Sequence, residues 1–346
     1  MRSLILQSVA YFLLVINCFA QTDTSKVKWQ SFEETKSLFE KNQKPVLIYF
    51  HDELNDSSNL MLNETFGLQE VANYANILFY PIKLDIYTKD SLTFFDGTKY
   101  YNTGKNGKIH DIVNQLLGDE PVFPSMILFT REAVGSVFTG FKDRNHIFPI
   151  LIYYAESVDK STTYEKFEKE YFKTYPIGQK QIMTRVLVKW KTFDETTELM
   201  KTNPKKILIN LYDNYSISST MQRLKTYNNP IIADYLNQKF YCINLDVKTN
   251  DTITFLNQKY INEGAPHGFH QIAIAMLDGK MNFPSFLMLD ENSKLLERLQ
   301  KYMPPDEFEV LIHFIGDDVY KNENWEAYKI TFKGSFDEQE KPVEGN

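Results

Sequence analysis

The sequence predicts an α/β protein built from two copies of one domain, each with a mixed central sheet flanked by helices. Two observations lead to this prediction. Matched residues recur about 160 positions apart along the chain, and in both copies apolar runs of strand length alternate with helical periodicity. The 346 residues are enough for two domains that each bury a core.

The repeat is visible as short motifs that keep their order along the chain. They are Val-Lys-Trp at 27–29 and 188–190, Leu-Asp at 84–85 and 245–246, and Phe-Pro-Ser at 123–125 and 283–285. Because the order and the spacing are both kept, chance does not explain the match. One domain type therefore occurs twice.

The elements are predicted in the same order in both copies. Each copy opens with a capping box, Ser31 to Glu34 or Thr192 to Glu195, which predicts a helix start. An apolar run at 46–50 or 207–211 then predicts a strand buried on both faces. The expected elements after it are a second helix from about Ser57 or Ser218 and a strand at 77–86 or 240–247. A hairpin around Asp96 and Gly97 follows in the first copy, and a third helix is expected at 109–117 or 269–277. Two strands, at 126–129 and 136–141 or at 286–289 and 294–299, and a terminal helix at 148–155 or 308–315 complete each copy.

The chain is expected to divide into five parts. They are a signal peptide at 1–20, a first domain at 21–158, a helical linker at 159–183, a second domain at 184–333 and a polar tail at 334–346. The signal is predicted from the basic Arg2, the apolar run from Val9 to Ile16, and a cleavage site after Ala20. It predicts export to the periplasm or the extracellular space, and the alternative is a lipid anchor on Cys18.

Composition excludes several classes of function. The net charge of −7 is spread along the chain without a Lys/Arg stripe, so neither nucleic acid nor an anionic membrane surface is an expected partner. No later run reaches 18 apolar residues, so no transmembrane segment is predicted. After signal cleavage Cys242 is the single cysteine, and we expect it to be buried and inert; the alternative is an intermolecular disulfide.

Four motifs together resemble the exported bacterial thioredoxin-like proteins, over almost the whole mature chain. They are the Lys-Trp-x-x-Phe-x-Glu opening, the apolar strand that leads into a helix, the Phe-Pro-Ser in place of the family's cis-proline loop, and the His-Asp-Ile-Val and His-Gln-Ile-Ala segments that look like its His-Glu-Leu-Ala helix. The resemblance implies two tandem thioredoxin-like domains, with Pro124 and Pro284 as the cis-prolines.

The resemblance also locates the active-site positions, which have lost their redox groups. The family's two cysteines correspond to Asn55 and Ser58 in the first copy and to Ser216 and Ser219 in the second. The aromatic residue before them corresponds to Leu54 and Tyr215, and the buried carboxylate to Tyr49 and Asn210. Since dithiol exchange needs a thiolate and a resolving thiol, the resemblance implies a redox-inactive protein without catalytic residues, metal or other cofactor.

Two kinds of function remain open for these positions. One is binding of a peptide or protein client beside the prolines, with main-chain pairing at Phe123 and Phe283 and contacts from Leu54 and Tyr215. The other is a scaffold in which the prolines only shape a turn and Asn55 and the serines only cap helices. A thiol-disulfide oxidoreductase, or an accessory of an envelope thiol-redox or protein-folding system, is the alternative that the family suggests.

Two histidines recur at matched positions. His110 and His270 each stand at the start of the third predicted helix, where a structural hydrogen bond is the expected role. The alternative is a metal site shared by His267 and His270 with a carboxylate.

Overall fold

The computed structural model describes residues 25–336, apart from 106, 178–185 and 265–267. The predicted signal peptide, Cys18, His267 and the tail beyond 336 lie outside the described residues. Within the described part, no helix has both the length and the apolar character that crossing a bilayer requires.

Repeat one contains a four-stranded sheet between helices. Its helices and strands are α1 (Phe32–Lys41), β1 (Val46–His51), α2 (Asp56–Leu60), α3 (Gln69–Leu78), β2 (Tyr80–Asp85), β3 (Leu92–Thr93), β4 (Lys99–Tyr100), α4 (Asp111–Leu117), β5 (Ser125–Phe129), β6 (Gly135–Thr139), α5 (Arg144–Ala155) and α6 (Tyr164–Thr174). The sheet order is β2-β1-β5-β6, with β1 parallel to β2 and antiparallel to β5.

Repeat two has the same arrangement with one more edge strand. Its elements are β7 (Trp190–Lys191), α7 (Phe193–Thr202), β8 (Lys206–Tyr212), α8 (Ile217–Met221), α9 (Pro230–Lys239), β9 (Phe240–Asp246), β10 (Ile253–Phe255), β11 (Gln258–Tyr260), α10 (Gln271–Met276), β12 (Ser285–Leu289), β13 (Leu295–Leu299), α11 (Pro305–Gly316) and α12 (Trp325–Thr331). The sheet order is β13-β12-β8-β9-β7. In repeat one an isolated bridge from Gln30 to Ile82 takes the place of β7.

This topology confirms the predicted fold class: two thioredoxin-like α/β domains in tandem. The two capping boxes are present, since Ser31 and Thr192 each accept a hydrogen bond from the amide of the glutamate three residues later. The hairpin around Asp96 is present as the β3–β4 pair. In each repeat the central strand is buried on both faces, because its alternate residues pack into different core clusters.

Two predicted elements differ from the structure. The strand expected to begin at Ile77 begins at Tyr80, because residues through Leu78 belong to α3. Ala72 and Ala75 form the buried face of that helix. A short apolar run fits a strand or a buried helix end equally well, and here it belongs to both elements. The helix expected from Ser57 is also interrupted, by a π-helical segment at 61–65.

The helix that follows repeat one packs against both repeats. Phe167 of α6 is fully buried in the core of repeat one, and its ring meets the ring of Tyr302 of repeat two edge-on, with centroids 6.3 Å apart. Met221 of repeat two is fully buried in the same cluster. The two repeats therefore share an apolar interface centred on α6.

Candidate functional site

The structure brings the predicted site residues together in each repeat. The peptide bonds Phe123–Pro124 and Phe283–Pro284 are both cis. The Asn55 amide lies 3.5 Å from the carbonyl oxygen of Phe123, and the Ser216 hydroxyl lies 3.5 Å from that of Phe283. The start of the helix after the first central strand therefore faces the proline loop in both copies.

We name the two surfaces by their residues. Groove one consists of Leu54, Asn55, Ser58, Phe123 and Pro124. Groove two consists of the matched residues Tyr215, Ser216, Ser219, Phe283 and Pro284. The prolines are buried in both grooves, while Leu54 and Tyr215 stand out at the surface.

The positions that correspond to the family's first cysteine serve as helix caps. The Asn55 side chain accepts a hydrogen bond from the Ser58 amide at 3.0 Å, and the Ser216 hydroxyl accepts one from the Ser219 amide at 3.0 Å. Such caps stabilise a helix start because they satisfy an amide that has no partner inside the helix. Capping is therefore one role of Asn55 and Ser216.

The positions that correspond to the family's buried carboxylate hold neutral groups with fixed partners. The Tyr49 hydroxyl donates to the carbonyl of Ser58 at 2.7 Å, and burial raises the pKa of this phenol far above its usual value. In repeat two the Asn210 amide donates to Asn244 at 2.7 Å. Neither group exchanges protons near neutral pH.

Groove two is occupied by a carboxylate from repeat one. Glu156, the residue after α5, accepts hydrogen bonds from the Ser216 hydroxyl at 2.8 Å, the Ile217 amide at 3.1 Å and the Ser218 amide at 2.8 Å. The Ser218 hydroxyl also donates to it. The Tyr74 hydroxyl holds the same carboxylate from the repeat-one side at 2.7 Å. An acid at a helix start is favourable because the exposed amides carry partial positive charge.

The occupant changes the accessibility of matched residues. Met221 of repeat two is fully buried, whereas its counterpart Leu60 is 48% exposed. Ser218 is likewise buried, whereas its counterpart Ser57 is exposed. In groove one Leu54 is 72% exposed, and Val122, just before Phe123, is 57% exposed. Groove one is therefore open in this structure, and groove two is covered by the chain itself.

The two matched histidines are structural, as predicted. Each is fully buried and caps the third helix, since Nδ1 of His110 accepts from the Ile112 amide and Nδ1 of His270 accepts from the Ile272 amide, both at 3.2 Å. The other ring nitrogen meets the carbonyl of Asp90 at 3.1 Å or that of Asp251 at 2.9 Å.

Cys242 is buried and unpaired in the middle of β9. Burial raises the pKa of its thiol far above the usual value, so the reactive thiolate does not form near neutral pH. The burial predicted for this residue is confirmed. Among the described residues, no group of three or more His, Cys, Asp or Glu is placed to hold a metal ion.

Glu156 was not foreseen from the sequence. It follows a terminal helix in a loop, and no motif distinguishes it. The matched residue Asp317 bonds instead to Lys239 at 2.7 Å and to His313 at 2.9 Å. Repeat alignment alone therefore gives no signal of the contact between Glu156 and groove two.

Comparisons with known proteins return thioredoxin-fold structures at low similarity. A thioredoxin-fold protein from Helicobacter pylori is 19% identical, with 36% of this chain and 77% of that chain covered and a TM-score of 0.27. A DsbH oxidoreductase is 14% identical, with 38% and 88% covered and a TM-score of 0.25. ERdj5, in its form I crystal structure, is 8% identical, with 86% and 30% covered and a TM-score of 0.27.

No family model matches the chain, and no curated protein matches it. At these TM-scores the solved structures add no argument about function. The fold assignment rests on the strand order and on the prolines at the start of β5 and β12.

Proposed function

We propose that this chain is an exported, redox-inactive thioredoxin-like protein that binds an extended peptide or protein segment in groove one. The observation that carries the proposal is the occupancy of groove two by Glu156. The helix start beside this cis-proline loop binds a side chain of the other repeat in groove two, and the matched helix start is open in groove one. Export is proposed from the signal-like N-terminus.

Redox inactivity is supported by the residues that replace the thiols. The sequence contains two cysteines, Cys18 and Cys242. Cys242 is buried inside β9 and stands at neither of the helix starts at Asn55 and Ser216. An accessory role beside a redox-active partner is compatible with binding in groove one, because holding a client needs no electron transfer.

Binding is tested with a labelled model protein that is permanently unfolded by carboxymethylation and therefore has no disulfides. Its Kd for the full mature chain is measured by fluorescence anisotropy. Exchanging Leu54 and Val122 for Ser removes one exposed apolar side chain from groove one and one directly beside it. We expect the binding free energy to weaken by about 2 kcal/mol, roughly a 30-fold rise in Kd.

The matched control is Tyr215→Ser, which removes the exposed aromatic side chain of groove two. Because Glu156 already binds the helix start of that groove, we expect Kd to change less than about twofold. An equal rise in Kd for both variants, or no binding by the unaltered chain, would contradict the proposal. Turnover of insulin disulfides by the Cys242→Ser variant would contradict redox inactivity.

A further inference from the structure

The two grooves differ in charge at matched positions. Repeat two carries Arg223, Lys225 and Lys248 at the positions where repeat one has Leu62, Glu64 and Tyr87. Groove one is flanked by Glu53 and Asp56 where groove two has Asn214 and Ile217. Repeat two therefore has three cations, and repeat one three carboxylates, that the matched positions of the other repeat lack.

The cations of repeat two lie close to the acidic residues that dock onto it. The Tyr175 hydroxyl is within electrostatic range of both Glu156 and Arg223. Burial lowers the pKa of the Lys225 ammonium, and the carboxylate of Glu170 on α6 opposes that change. Lys248 lies 4.7 Å from the centre of the Tyr215 ring and pairs with Asp213 at 2.9 Å. The sign of charge around groove two thus matches an acidic occupant.

The carboxylates of groove one have no such counterpart. Glu53 and Asp56 are exposed. Among the described residues, neither they nor Asp52 takes part in an ion pair. Burial raises the pKa of the nearby Tyr87 hydroxyl, and the charges of Asp52 and Glu53 raise it further. The negative charge is therefore concentrated and open to solvent.

A second copy of this chain does not fit groove one by the same contact. The residue of repeat two that matches Glu156 is Asp317, another carboxylate, which would face Asp56 and Glu53. Lys239 and His313 already bind Asp317. A partner of opposite charge suits the groove better, because like charges brought together at an interface oppose binding.

Since the helix start of groove two binds the carboxylate of Glu156, and groove one carries Glu53 and Asp56 at matched positions where groove two has no carboxylate, we propose that groove one docks a basic segment of a partner protein. The segment carries Lys or Arg against Glu53 and Asp56 and an apolar side chain against Leu54, Leu60 and Val122. The exposure of these three apolar residues provides the contact area, and the carboxylates provide the selectivity. This inference rests on the proposed binding function of groove one.

The test uses three labelled ten-residue peptides that differ only beside a central leucine. Two Lys, two Gln or two Glu flank it, and Kd for the full mature chain is measured by anisotropy at low and high salt. We expect the Lys peptide to bind about tenfold more tightly than the Glu peptide at low salt. Raising the salt should reduce this preference, because exposed charges are screened.

Reversal of the charges beside groove one is the decisive part of the test. Changing Glu53 and Asp56 to Lys should invert the order of the peptides, so that groove one prefers the acidic segment as groove two does. A milder variant with Glu53→Gln and Asp56→Asn should reduce the preference to less than about threefold. Circular dichroism shows whether each variant is folded, and the milder variant provides the test if the reversal does not fold.

The matched control reverses two carboxylates of α1, Glu33 and Glu40, to Lys. This helix packs through Phe32 on one face of β1. The helical residues that follow groove one in the chain pack on the opposite face. The net charge changes equally, and we expect the order of the peptides to stay as in the unaltered chain. An order that follows net charge in this control would overturn the inference.

The outcomes also separate the inference from the function beneath it. Equal binding of all three peptides, lost in the variant with Leu54→Ser and Val122→Ser, would overturn the basic preference and leave groove one as a binding site. No binding of any peptide would overturn both.

Discussion

Repeat one and repeat two have the same fold, the same cis-prolines and the same helix caps, yet their grooves differ in accessibility. In repeat two the helix start binds Glu156 of the preceding repeat, and Met221 is buried in the shared interface. In repeat one the matched Leu60 and Asp56 face solvent. The two matched sites therefore have different states in one chain. Groove two is part of a joint between the repeats, and groove one is a surface.

The charges of the two repeats also differ. Lys248 lies beside Tyr215 in repeat two, and Glu53 and Asp56 flank groove one. The residue at the position of Glu156 in repeat two, Asp317, is bound by Lys239 and His313 of its own repeat. The predictions below separate the closed groove from the open one, beginning with the largest expected effect.

Glu156→Gln should produce the largest loss of folding stability. One carboxylate accepts bonds from Ser216, Ile217 and Ser218 in groove two and from Tyr74 in repeat one. Gln presents one oxygen and one amide, so buried donors lose their acceptor, and we expect unfolding in urea to become easier by about 3 kcal/mol.

The matched control for this change is Asp317→Asn. The side chain of Asp317 is partly exposed beside Lys239 and His313. We expect this change to lower the free energy of unfolding by about 0.5 kcal/mol, because ion pairs near the surface contribute little to stability. Equal losses for the two variants would show that Glu156 acts as an ordinary surface acid and that groove two is not a joint.

The helix caps provide a smaller and more local comparison. Asn55→Ala removes a cap and nothing else that the structure shows to be strong, so a loss of about 1 kcal/mol is expected. Ser216→Ala removes a cap and a donor to Glu156, so about 2 kcal/mol is expected. Urea unfolding of both variants gives the difference.

The same pair of variants is then measured with Glu156→Gln already in place. The extra loss at Ser216 should disappear, because residues that share a bond do not contribute independently. If the excess persists without the carboxylate, it arises from packing, and the bond from Ser216 to Glu156 is not what closes groove two.

Much of the fold was readable from the sequence, and the reason is physical. Capping boxes, buried strand runs and helical periodicity are local signals, and the repeat supplied each of them twice. The interruption of the helix after Ser57 and the later start of the strand expected at Ile77 were not readable, because a short apolar segment suits either a helix or a strand.

The positions of the site residues could be predicted, but not which of the two grooves is closed. The sequence identified Asn55, Ser216 and both prolines, and they lie together as expected. It gave two equivalent grooves, because closure of groove two depends on how the repeats dock, which no local pattern records. The charge differences were visible at matched positions, such as Asp56 against Ile217 and Tyr87 against Lys248, and alignment of the repeats would have revealed them.

The smallest expected effect concerns a feature that the repeats share, the buried cap of the third helix. Burial lowers the pKa of His110 below its usual value, so the folded protein favours the neutral ring. The unfolded chain binds a proton near pH 6.5, and stability therefore falls as the pH drops below that value. His110→Gln keeps a donor and an acceptor but does not titrate. We expect this variant to lose less stability than the unaltered chain between pH 7.5 and 5.5, by about 1 kcal/mol or less in urea unfolding. Parallel curves for the two proteins would show that protonation of His110 does not weaken the cap, and the pH dependence would then have to arise from other groups.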